Sequence, residues 1–142
     1  MQNGAILMQK KQYQTKSTFY SLPGGAQDPG ESLVEALHRE CQEELGTEVI
    51  AGEIIRLANF YKPKSQPALY QQQHQLDVLF RCQLAEEAYT PVNGPHWDKH
   101  PVAIEWIAID RLSEIQLSLS FLQPMLFNIH APYQPIYLGK HN

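Results

Sequence analysis

Apolar stretches alternate with polar segments along the chain and predict strands arranged around one amphipathic helix. Two polar, proline-bearing segments, 62–73 and 86–101, are predicted to be loops. The C-terminal part, 110–142, predicts a short helical turn, a second helix around 119–129 and a tail. Mixed strands and helices indicate an α/β or α+β sandwich. Strands are predicted at five places: Ala5 to Met8, Thr18 to Leu22, Val49 to Tyr61, Gln75 to Leu84 and Ile104 to Ile109.

The helix is predicted from Ser32 to Leu45. Ser32 with Glu35 three residues later is a capping-box signature, and Gly46 is a helix-stop signal. On a helical wheel one apolar arc contains Glu44, and Glu40 falls just outside it. Carboxylates at a buried stripe break the usual pattern, and such violations concentrate at functional sites. The arc consists of Leu33, Val34, Leu37, Cys41 and Leu45.

The carboxylates of this helix favour a hard divalent cation. Glu40 and Glu44 stand at i and i+4, so they would repel each other without a counter-ion. Oxygen-only ligands suit Mg²⁺ or Mn²⁺ better than zinc. Arg39 stands four residues before Glu43 and is placed to hold it. The alternative interpretation is an ordinary acidic surface helix.

Composition narrows the class of protein. The chain has 142 residues, is 43% hydrophobic and 18% charged, and carries a formal net charge of −4. These values fit one domain with a real core, and they give no electrostatic attraction to a nucleic-acid polymer or an anionic membrane. No apolar run approaches the length of a membrane span. Cys41 and Cys82 are the two cysteines, which predicts a soluble protein of a reducing cytoplasm.

The segment before and through the helix resembles a known motif. Residues 22–47 read LPGGAQDPGESLVEALHRECQEELGT, which is similar to the Nudix box, G-x5-E-x7-R-E-U-x-E-E-x-G-U with U a bulky aliphatic. Cys41 and Thr47 depart from it at two U positions, and Asp28 stands where relatives often carry Glu. The box covers about a sixth of the chain. Its seven named positions are matched by Gly25, Glu31, Arg39, Glu40, Glu43, Glu44 and Gly46.

The resemblance implies a fold and an activity. The implied fold is an α/β/α sandwich with a mixed sheet and a loop-helix-loop, here one domain over residues 1–142. The implied activity is Mg²⁺-dependent hydrolysis of the pyrophosphate in a nucleoside diphosphate linked to another group X. A Nudix fold that binds a nucleotide or partner without cleaving is the alternative, and a box that keeps all its carboxylates favours hydrolysis. Oxidised deoxynucleoside triphosphates, ADP-ribose, dinucleoside polyphosphates and nucleotide sugars stay open as substrates.

Roles for particular residues also follow from the resemblance. Glu40 and Glu44 are the leading Mg²⁺ ligands, with Glu43 close behind, and Mn²⁺ would suit the same oxygens. The main-chain carbonyl of Gly24 is a further ligand. Four residues are expected to brace the loop and the helix: Gly25, Glu31, Arg39 and Gly46.

The residue that takes a proton from the attacking water has candidates in two places. Glu40 or Glu43 could act from the helix. A downstream loop offers Glu86, Glu87 and Asp98, of which Asp98 is preferred because it lies a few residues ahead of the strand that bears Glu105. Four aromatic residues in or beside loops could stack on a base, although packing is the simpler interpretation of each: Tyr61, Tyr70, Tyr89 and Trp97.

The N-terminus carries one more expectation. Nudix domains usually have a strand ahead of the one predicted at Ala5 to Met8, and here the chain begins almost on it. If that strand is absent, the sheet edge at Ala5 to Met8 would be exposed and would favour a homodimer.

Overall fold

A computed structural model of the chain describes residues 1–12, 17–62, 73–86, 89, 101–132 and 134–141. The described part contains six strands, two α-helices and a 3₁₀ helix over Ile109–Glu114. The strands are β1 (Ala5–Gln12), β2 (Thr18–Ser21), β3 (Val49–Lys62), β4 (Gln73–Leu84), β5 (Pro101–Ala108) and β6 (Tyr137–His141). The helices are α1 (Leu33–Leu45) and α2 (Leu122–Phe127). This confirms the predicted mixture of sheets and few helices.

The chain forms two compact units. The first comprises Met1–Ala51 and Cys82–Ile129, and the second comprises Gly52–Arg81 and His130–Asn142. The described strands form two three-stranded sheets, one ordered β2-β1-β5 and the other β4-β3-β6. None of the helices in the described ranges is long and apolar enough to cross a membrane.

Strand β1 lies in the middle of the first sheet. It pairs antiparallel with β5 from Ala5 opposite Ala108 onwards, and antiparallel with β2 from Gln9 opposite Ser21. The side chains of Ile6, Leu7 and Met8 are buried. Strand β5 therefore pairs with one side of β1 over Ala5 to Met8, whereas β2 pairs with β1 from Gln9 onwards. The expectation of an exposed edge at Ala5 to Met8, and of a homodimer that covers it, stays a prediction.

Helix α1 begins and ends as its sequence predicts. The Glu35 N–H donates to the Ser32 hydroxyl at 3.1 Å, and the Ser32 N–H donates to the Glu35 carboxylate at 2.6 Å. At the other end Gly46 adopts a left-handed conformation with φ of 67°, and its N–H donates to the Gln42 carbonyl. Both ends are thus satisfied locally. The first and last residues of the helix are therefore set by contacts within the segment itself.

The later turns of α1 pack into the core of the first unit. Cys41 and Leu45 are buried there, and Leu37 packs against the same cluster. The arc prediction is wrong for the first turn, where Leu33 and Val34 are 41% and 39% exposed. A helical wheel gives direction around the axis but no position along it, so it cannot show that the first turn lies outside the core. The rest of the cluster consists of Leu7, Val49 and Ile104, with Cys82, Leu84, Tyr89 and Trp106 packed against it.

The second unit contains a strand that the sequence pattern missed. Strand β6 pairs in parallel with β3, with Tyr137 opposite Leu57 and His141 opposite Phe60. Its sequence, YLGKH, is short and interrupted by glycine, so apolar and polar residues do not alternate clearly, and the pattern predicts a tail. Parallel and antiparallel pairings are therefore both present in the chain. The predicted loops over 63–72 and over nearly all of 86–101 lie outside the described residues.

Candidate active site

The turn before helix α1 folds around the carboxylate of Glu31. Its Oε2 accepts the Asp28 N–H at 2.9 Å, and the Glu31 N–H donates to the Asp28 carbonyl at 3.1 Å. The Gln27 side chain donates to the Glu31 carbonyl at 2.5 Å. Gly30 within this turn has φ of 87°, a conformation that L side chains rarely adopt. These contacts make the segment a compact turn that leads directly into the helix.

Gly25 leaves the space in which the Glu40 carboxylate lies. A Cβ atom on Gly25 would stand 2.2 Å from Oε1 of Glu40 and 2.6 Å from Oε2, closer than non-bonded atoms can approach. Glycine is thus required here for close approach of the backbone to a carboxylate. The spacing of the two residues in the motif thus places the carboxylate of Glu40 against the main chain of Gly25.

Arg39 is the cation at the centre of the carboxylates. Its Nε donates to Glu31 Oε1 at 2.6 Å and its NH2 donates to Glu31 Oε2 at 3.1 Å, a bidentate pair. Its NH1 contacts Glu40 Oε1 at 3.0 Å and Glu43 Oε2 at 3.3 Å. The guanidinium also donates to the Ala26 carbonyl at 2.9 Å. One side chain therefore joins the turn, through Glu31 and the Ala26 carbonyl, to the helix carboxylates Glu40 and Glu43.

These contacts stabilise the charged forms of both partners. The hydrogen bonds that Arg39 donates to Glu31 first, and to Glu40 next, raise the pKa of Arg39 above its ordinary value. The Arg39 hydrogen bonds, and then the Asp28 N–H, hold the pKa of Glu31 below its usual value. The side chain of Asp28 lies 3.4 Å from Arg39 Nε and is mostly exposed. A shorter carboxylate than the usual Glu therefore still reaches the guanidinium.

Glu44 is the most buried of the four box carboxylates Glu31, Glu40, Glu43 and Glu44. It is 6% exposed, as its place within the apolar arc of the helix predicts. Its Oε2 accepts the N–H of Gly24 at 2.9 Å, and Gly24 has φ of 146°. A carboxylate of this kind buried beside apolar side chains needs compensating polar contacts. The Gly24 N–H is one of them.

The carboxylate oxygens of the box are of the type that binds a hard divalent cation, but in this structure they make hydrogen bonds to Arg39 and to the main chain. In the described ranges, no three carboxylate, imidazole or thiol groups are arranged to hold a metal ion. Glu40 and Glu43 both face Arg39, and Glu44 faces Gly24. All of these groups offer oxygen atoms, and the Glu40 carboxylate occupies the space that a side chain on residue 25 would take. The residues are of the right type and are adjacent.

Most of the loop residues considered as proton acceptors or stacking residues lie outside the part of the chain that the structure describes. Asp98 and Glu87 lie outside the described residues, as do Tyr70, Trp97 and the side chain of Tyr61. Glu86 is exposed just beyond the end of β4.

Glu105 on β5 is held by two neighbours that the sequence pattern did not indicate. Tyr20 donates to its Oε2 at 3.3 Å, and the Lys10 ammonium lies 3.7 Å from its Oε1. Lys10 and Tyr20 stand opposite each other on β1 and β2, which explains how both reach the same carboxylate.

Tyr89 has a packing role in the first unit. Its hydroxyl donates to the carbonyl of Leu45 at 2.8 Å, and its ring packs against the core cluster. The carbonyl belongs to the last turn of helix α1, which otherwise leaves such groups without helical partners. Of the two interpretations of Tyr89, packing is the one that matches this contact.

The sequence of the chain matches a family model over residues 1–126, the NUDIX domain. The chain belongs to the Nudix family. The prediction of a Nudix hydrolase from the box is thereby confirmed. No curated protein matches the chain at the level of sequence.

Solved structures confirm the Nudix fold. A NUDIX hydrolase from Nitrosomonas europaea superposes with a TM-score of 0.69 at 18% identity, over 93% of this chain and 85% of the other. An ADP-ribose pyrophosphatase from Streptococcus suis gives 0.59 at 21% identity, over 100% and 92%. A UDP-X diphosphatase gives 0.66 at 19% identity, over 96% of this chain and 62% of the other. The predicted fold class is confirmed.

Proposed function

We propose that this protein hydrolyses the pyrophosphate linkage of a small-molecule nucleoside diphosphate joined to another group, with Mg²⁺ or Mn²⁺ as its cofactor. The observation that carries the proposal is the cluster of four box carboxylates folded with the Gly24-Gly25 turn in a chain of the Nudix family. A reducing cytoplasm is the proposed location, and Cys41 and Cys82 form no disulfide in the part of the chain that the structure describes.

The residues proposed to hold the metal are Glu40, Glu43 and Glu44, with the carbonyl of Gly24. A bound divalent cation neutralises the charge of a pyrophosphate and lowers the pKa of a coordinated water. Hydrogen bonding between Gly24 and Glu44 keeps the main chain of the turn next to the helix carboxylates. Glu31 and Arg39 do not contact substrate in this proposal, since their part is to fix the turn and the orientation of Glu40 and Glu43.

A carboxylate must also take the proton that the attacking water loses. Glu40 and Glu43 are the proposed acceptors on the helix, and Asp98 is the proposed acceptor from the loop. Arg39 favours Glu43 over Glu40 for this task, because its contact with Glu43 is longer, 3.3 Å against 3.0 Å, and Glu43 is the more exposed of the two. A weaker hold on the carboxylate leaves it freer to accept a proton.

A non-catalytic binding module is the other candidate. The full set of box carboxylates argues against it, since a domain that only binds a nucleotide does not need every carboxylate that the box uses for the metal and the proton. Hydrolysis is therefore the function that the site supports best.

A substrate panel tests the proposal. Relatives of this fold include proteins named for UDP-X and for ADP-ribose, so both compound types belong on the panel with oxidised deoxynucleoside triphosphates and dinucleoside polyphosphates. Phosphate or pyrophosphate release is measured with about 5 mM Mg²⁺, a concentration on the order of that needed to saturate a weak Mg²⁺ site. It is measured again without Mg²⁺. The proposal expects metal-dependent release from at least one compound. Binding of a compound without release from any of them would favour the binding module.

Glu44→Gln is the matched control for that panel. It removes the charge at nearly constant volume, so a contaminating hydrolase in the preparation is recognised by activity that survives the substitution. Release that is equal in the two proteins would refute the assignment of activity to this site.

A further inference from the structure

The last turn of helix α1 is the electrostatically unfavourable end of that helix. The carbonyl groups of a last turn have no partners within the helix and form the negative end of its dipole. Two carboxylates, Glu43 and Glu44, lie in this turn, and the turn contains no basic side chain. Negative side chains at this end weaken a helix. The turn that carries the buried Glu44 therefore depends on hydrogen-bond donors for its carbonyls.

Gly46 and Tyr89 donate hydrogen bonds to carbonyls of this turn. The Gly46 N–H donates to the Gln42 carbonyl at 3.1 Å, which is a contact within the segment. The Tyr89 hydroxyl donates to the Leu45 carbonyl at 2.8 Å, across 44 positions of sequence. Leu45 is buried, so water does not readily replace that hydroxyl. Tyr89 is thus a long-range contact that closes the last turn.

Tyr89 is itself held by the core of the first unit. Its ring packs against the cluster that contains Cys41 and Leu45. A few residues earlier in the chain, the Ala85 N–H donates to the Glu48 carbonyl at 3.1 Å, just beyond the end of the helix. The segment that carries Tyr89 therefore contacts the helix end at two places. The hydroxyl is a donor in a fixed position.

The last turn and the Glu44 carboxylate are directly connected. Glu44 immediately precedes Leu45, so loosening of the turn would displace its side chain. Its carboxylate is aligned with the Gly24 N–H at 2.9 Å, and such a bond does not survive a large shift of the turn. A hydroxyl that holds the Leu45 carbonyl therefore also holds Glu44 in place.

We propose that Tyr89 is a positioning residue for Glu44, and that its hydroxyl keeps the last turn of α1 wound so that Glu44 binds Mg²⁺ or Mn²⁺. This inference rests on the proposed function, because it takes Glu44 as a metal ligand. Tyr89 itself contacts neither metal nor substrate, and it acts through the Leu45 carbonyl. Groups that orient metal ligands typically contribute about 10- to 100-fold to metal affinity.

The first test is calorimetric titration of Mn²⁺ alone into the full-length protein. Tyr89→Phe keeps the ring and removes the hydroxyl, and it is expected to weaken Mn²⁺ binding about 10-fold or more. Tyr20→Phe is the matched control, since it removes a hydroxyl that donates to Glu105 at 3.3 Å in the same unit. It is expected to change Mn²⁺ affinity by less than about twofold.

Amide hydrogen exchange without metal gives a second measurement. Exchange of the Gly46 N–H is expected to be about fivefold or more faster in Tyr89→Phe, because the last turn opens more often. The Ala36 N–H, which donates to the Ser32 carbonyl at 3.0 Å in the first turn, is expected to keep its rate. A difference between the two ends of the helix separates positioning of the last turn from general loss of stability.

The metal dependence of turnover gives a third measurement. With any compound that the wild type hydrolyses, Tyr89→Phe is expected to need about 10-fold more Mn²⁺ for its half-maximal rate. Its kcat at saturating Mn²⁺ is expected to stay within about threefold of the wild type. A merely structural role would lower the amount of active protein without shifting the Mn²⁺ dependence.

A measurement on the wild type decides if Tyr89→Phe does not fold. If the hydroxyl strengthens metal binding, metal binding must strengthen the hold of the hydroxyl, because the two equilibria are linked. Mg²⁺ is therefore expected to slow the exchange of the Tyr89 hydroxyl proton with water, followed by NMR, by at least about twofold. An exchange rate that Mg²⁺ does not change would overturn the inference.

Two further results would overturn it. Unchanged Mn²⁺ affinity in Tyr89→Phe, or equal weakening by Tyr20→Phe, would show that the hydroxyl does not position a ligand. Equally faster exchange at Gly46 and Ala36 would show that Tyr89 serves overall stability. A wild type that binds Mn²⁺ but releases nothing from any compound of the panel would refute hydrolysis, and the Mn²⁺ affinities of the variants would still support the role of Tyr89.

Discussion

The N–H of Gly24 donates to the Glu44 carboxylate across 2.9 Å. Gly24 lies in the turn before helix α1, immediately ahead of the Nudix box, and Glu44 lies in the last turn of that helix, near the end of the box. A direct bond between them means that the turn and the C-terminal end of the helix hold a fixed separation. A change that frees Glu44 therefore also releases the main chain of the turn.

Glu44→Gln is expected to damage turnover while leaving the fold intact. The amide keeps an oxygen that can accept the Gly24 N–H, but it loses the charge proposed to bind the metal. We expect turnover to fall by about 100-fold or more, on the scale of losing a main electrostatic element of a site. The unfolding temperature without metal should stay level or rise, since repulsion with neighbouring carboxylates is relieved. Steady-state kinetics, a Mn²⁺ titration and a melting curve measure all three.

Leu37→Ala is the matched change with the opposite profile. Leu37 packs against the core cluster and has no polar role, so truncation should cost about 2 kcal/mol of stability, the low end for buried leucine because the residue is only half-buried. Turnover per folded molecule should change little. Near-normal turnover and metal affinity in Glu44→Gln would show that Glu44 is not a ligand and would revive the acidic-surface interpretation.

Gly25→Ala is expected to displace Glu40. The new Cβ would stand 2.2 Å from Oε1, and the end of a flexible side chain moves at small cost in stability. Misplacement of a catalytic group by about 1 Å can cost on the order of 100-fold in rate. We therefore expect a large loss of kcat with a small change in unfolding temperature.

Gly30→Ala controls for backbone strain in the same turn. Gly30 has φ of 87° and no atom within 4 Å of an added Cβ, so the substitution strains the main chain without touching a carboxylate. It should lower stability more than Gly25→Ala and lower kcat less. The reverse order would contradict the steric explanation of Gly25.

Arg39→Lys should impair the site although the charge is kept. An ammonium cannot reproduce the bidentate pair with Glu31 while also reaching Glu40 and Glu43. Loss of a residue that orients ligands typically costs 10–100-fold in metal affinity or activity, and we expect an effect of that size. Arg111→Lys, at an exposed pair with Glu114, is the control and should change neither quantity. Kinetics and Mn²⁺ affinity of both variants make the comparison.

Acid should release the turn through protonation of Glu31. Its pKa is lowered in the folded protein, so its carboxylate contributes stability that is present above its usual value of 4.5 and is lost as the pH falls through the lowered value. Glu31→Gln is expected to flatten the loss of stability below about pH 4.5. Melting curves at a series of pH values measure this.

The activity of the same variant separates the site from general acid sensitivity. Glu53 also has a lowered pKa, caused first by its own N–H and then by Arg81, but it lies outside the box. Glu53→Gln should therefore flatten the acid response without lowering kcat/KM, whereas Glu31→Gln should lower kcat/KM about 10-fold or more. Equal activity in the two variants would argue that Glu31 serves stability alone.

Removal of divalent cations is expected to abolish hydrolysis. The proposed ligands are all oxygen atoms, so Mg²⁺ or Mn²⁺ should restore activity after EDTA treatment and Zn²⁺ should restore it poorly. Activity that survives exhaustive EDTA treatment would contradict the metal proposal. Calorimetric titration of Mn²⁺ into the wild type and Glu44→Gln gives a readout that does not depend on turnover.

Local signals in the sequence were sufficient for the helix and its carboxylates. Ser32, Glu35 and Gly46 fix the limits of α1 through contacts within a few residues. The place of Glu44 follows from helical periodicity alone. These features are predictable because the chain does not need its distant parts to form them.

Features that depend on distant parts of the chain could not be predicted. The pairing of β6 with β3 and of β1 with β5 joins residues far apart in sequence, so neither the extra strand nor the central position of β1 has a local signal.

The central position of β1 has a consequence for how the protein folds. Ala5 pairs with Ala108, 103 positions later in the chain, and Lys10 pairs with Ala103, 93 positions later. Contacts between residues so far apart in sequence are slow to form, because the entropy of closing the long loop is lost before the contacts stabilise the chain. A ribosome must therefore release β5 before β1 gains its full set of partners. Until then Ile6, Leu7 and Met8 form an apolar segment that a chaperone could bind.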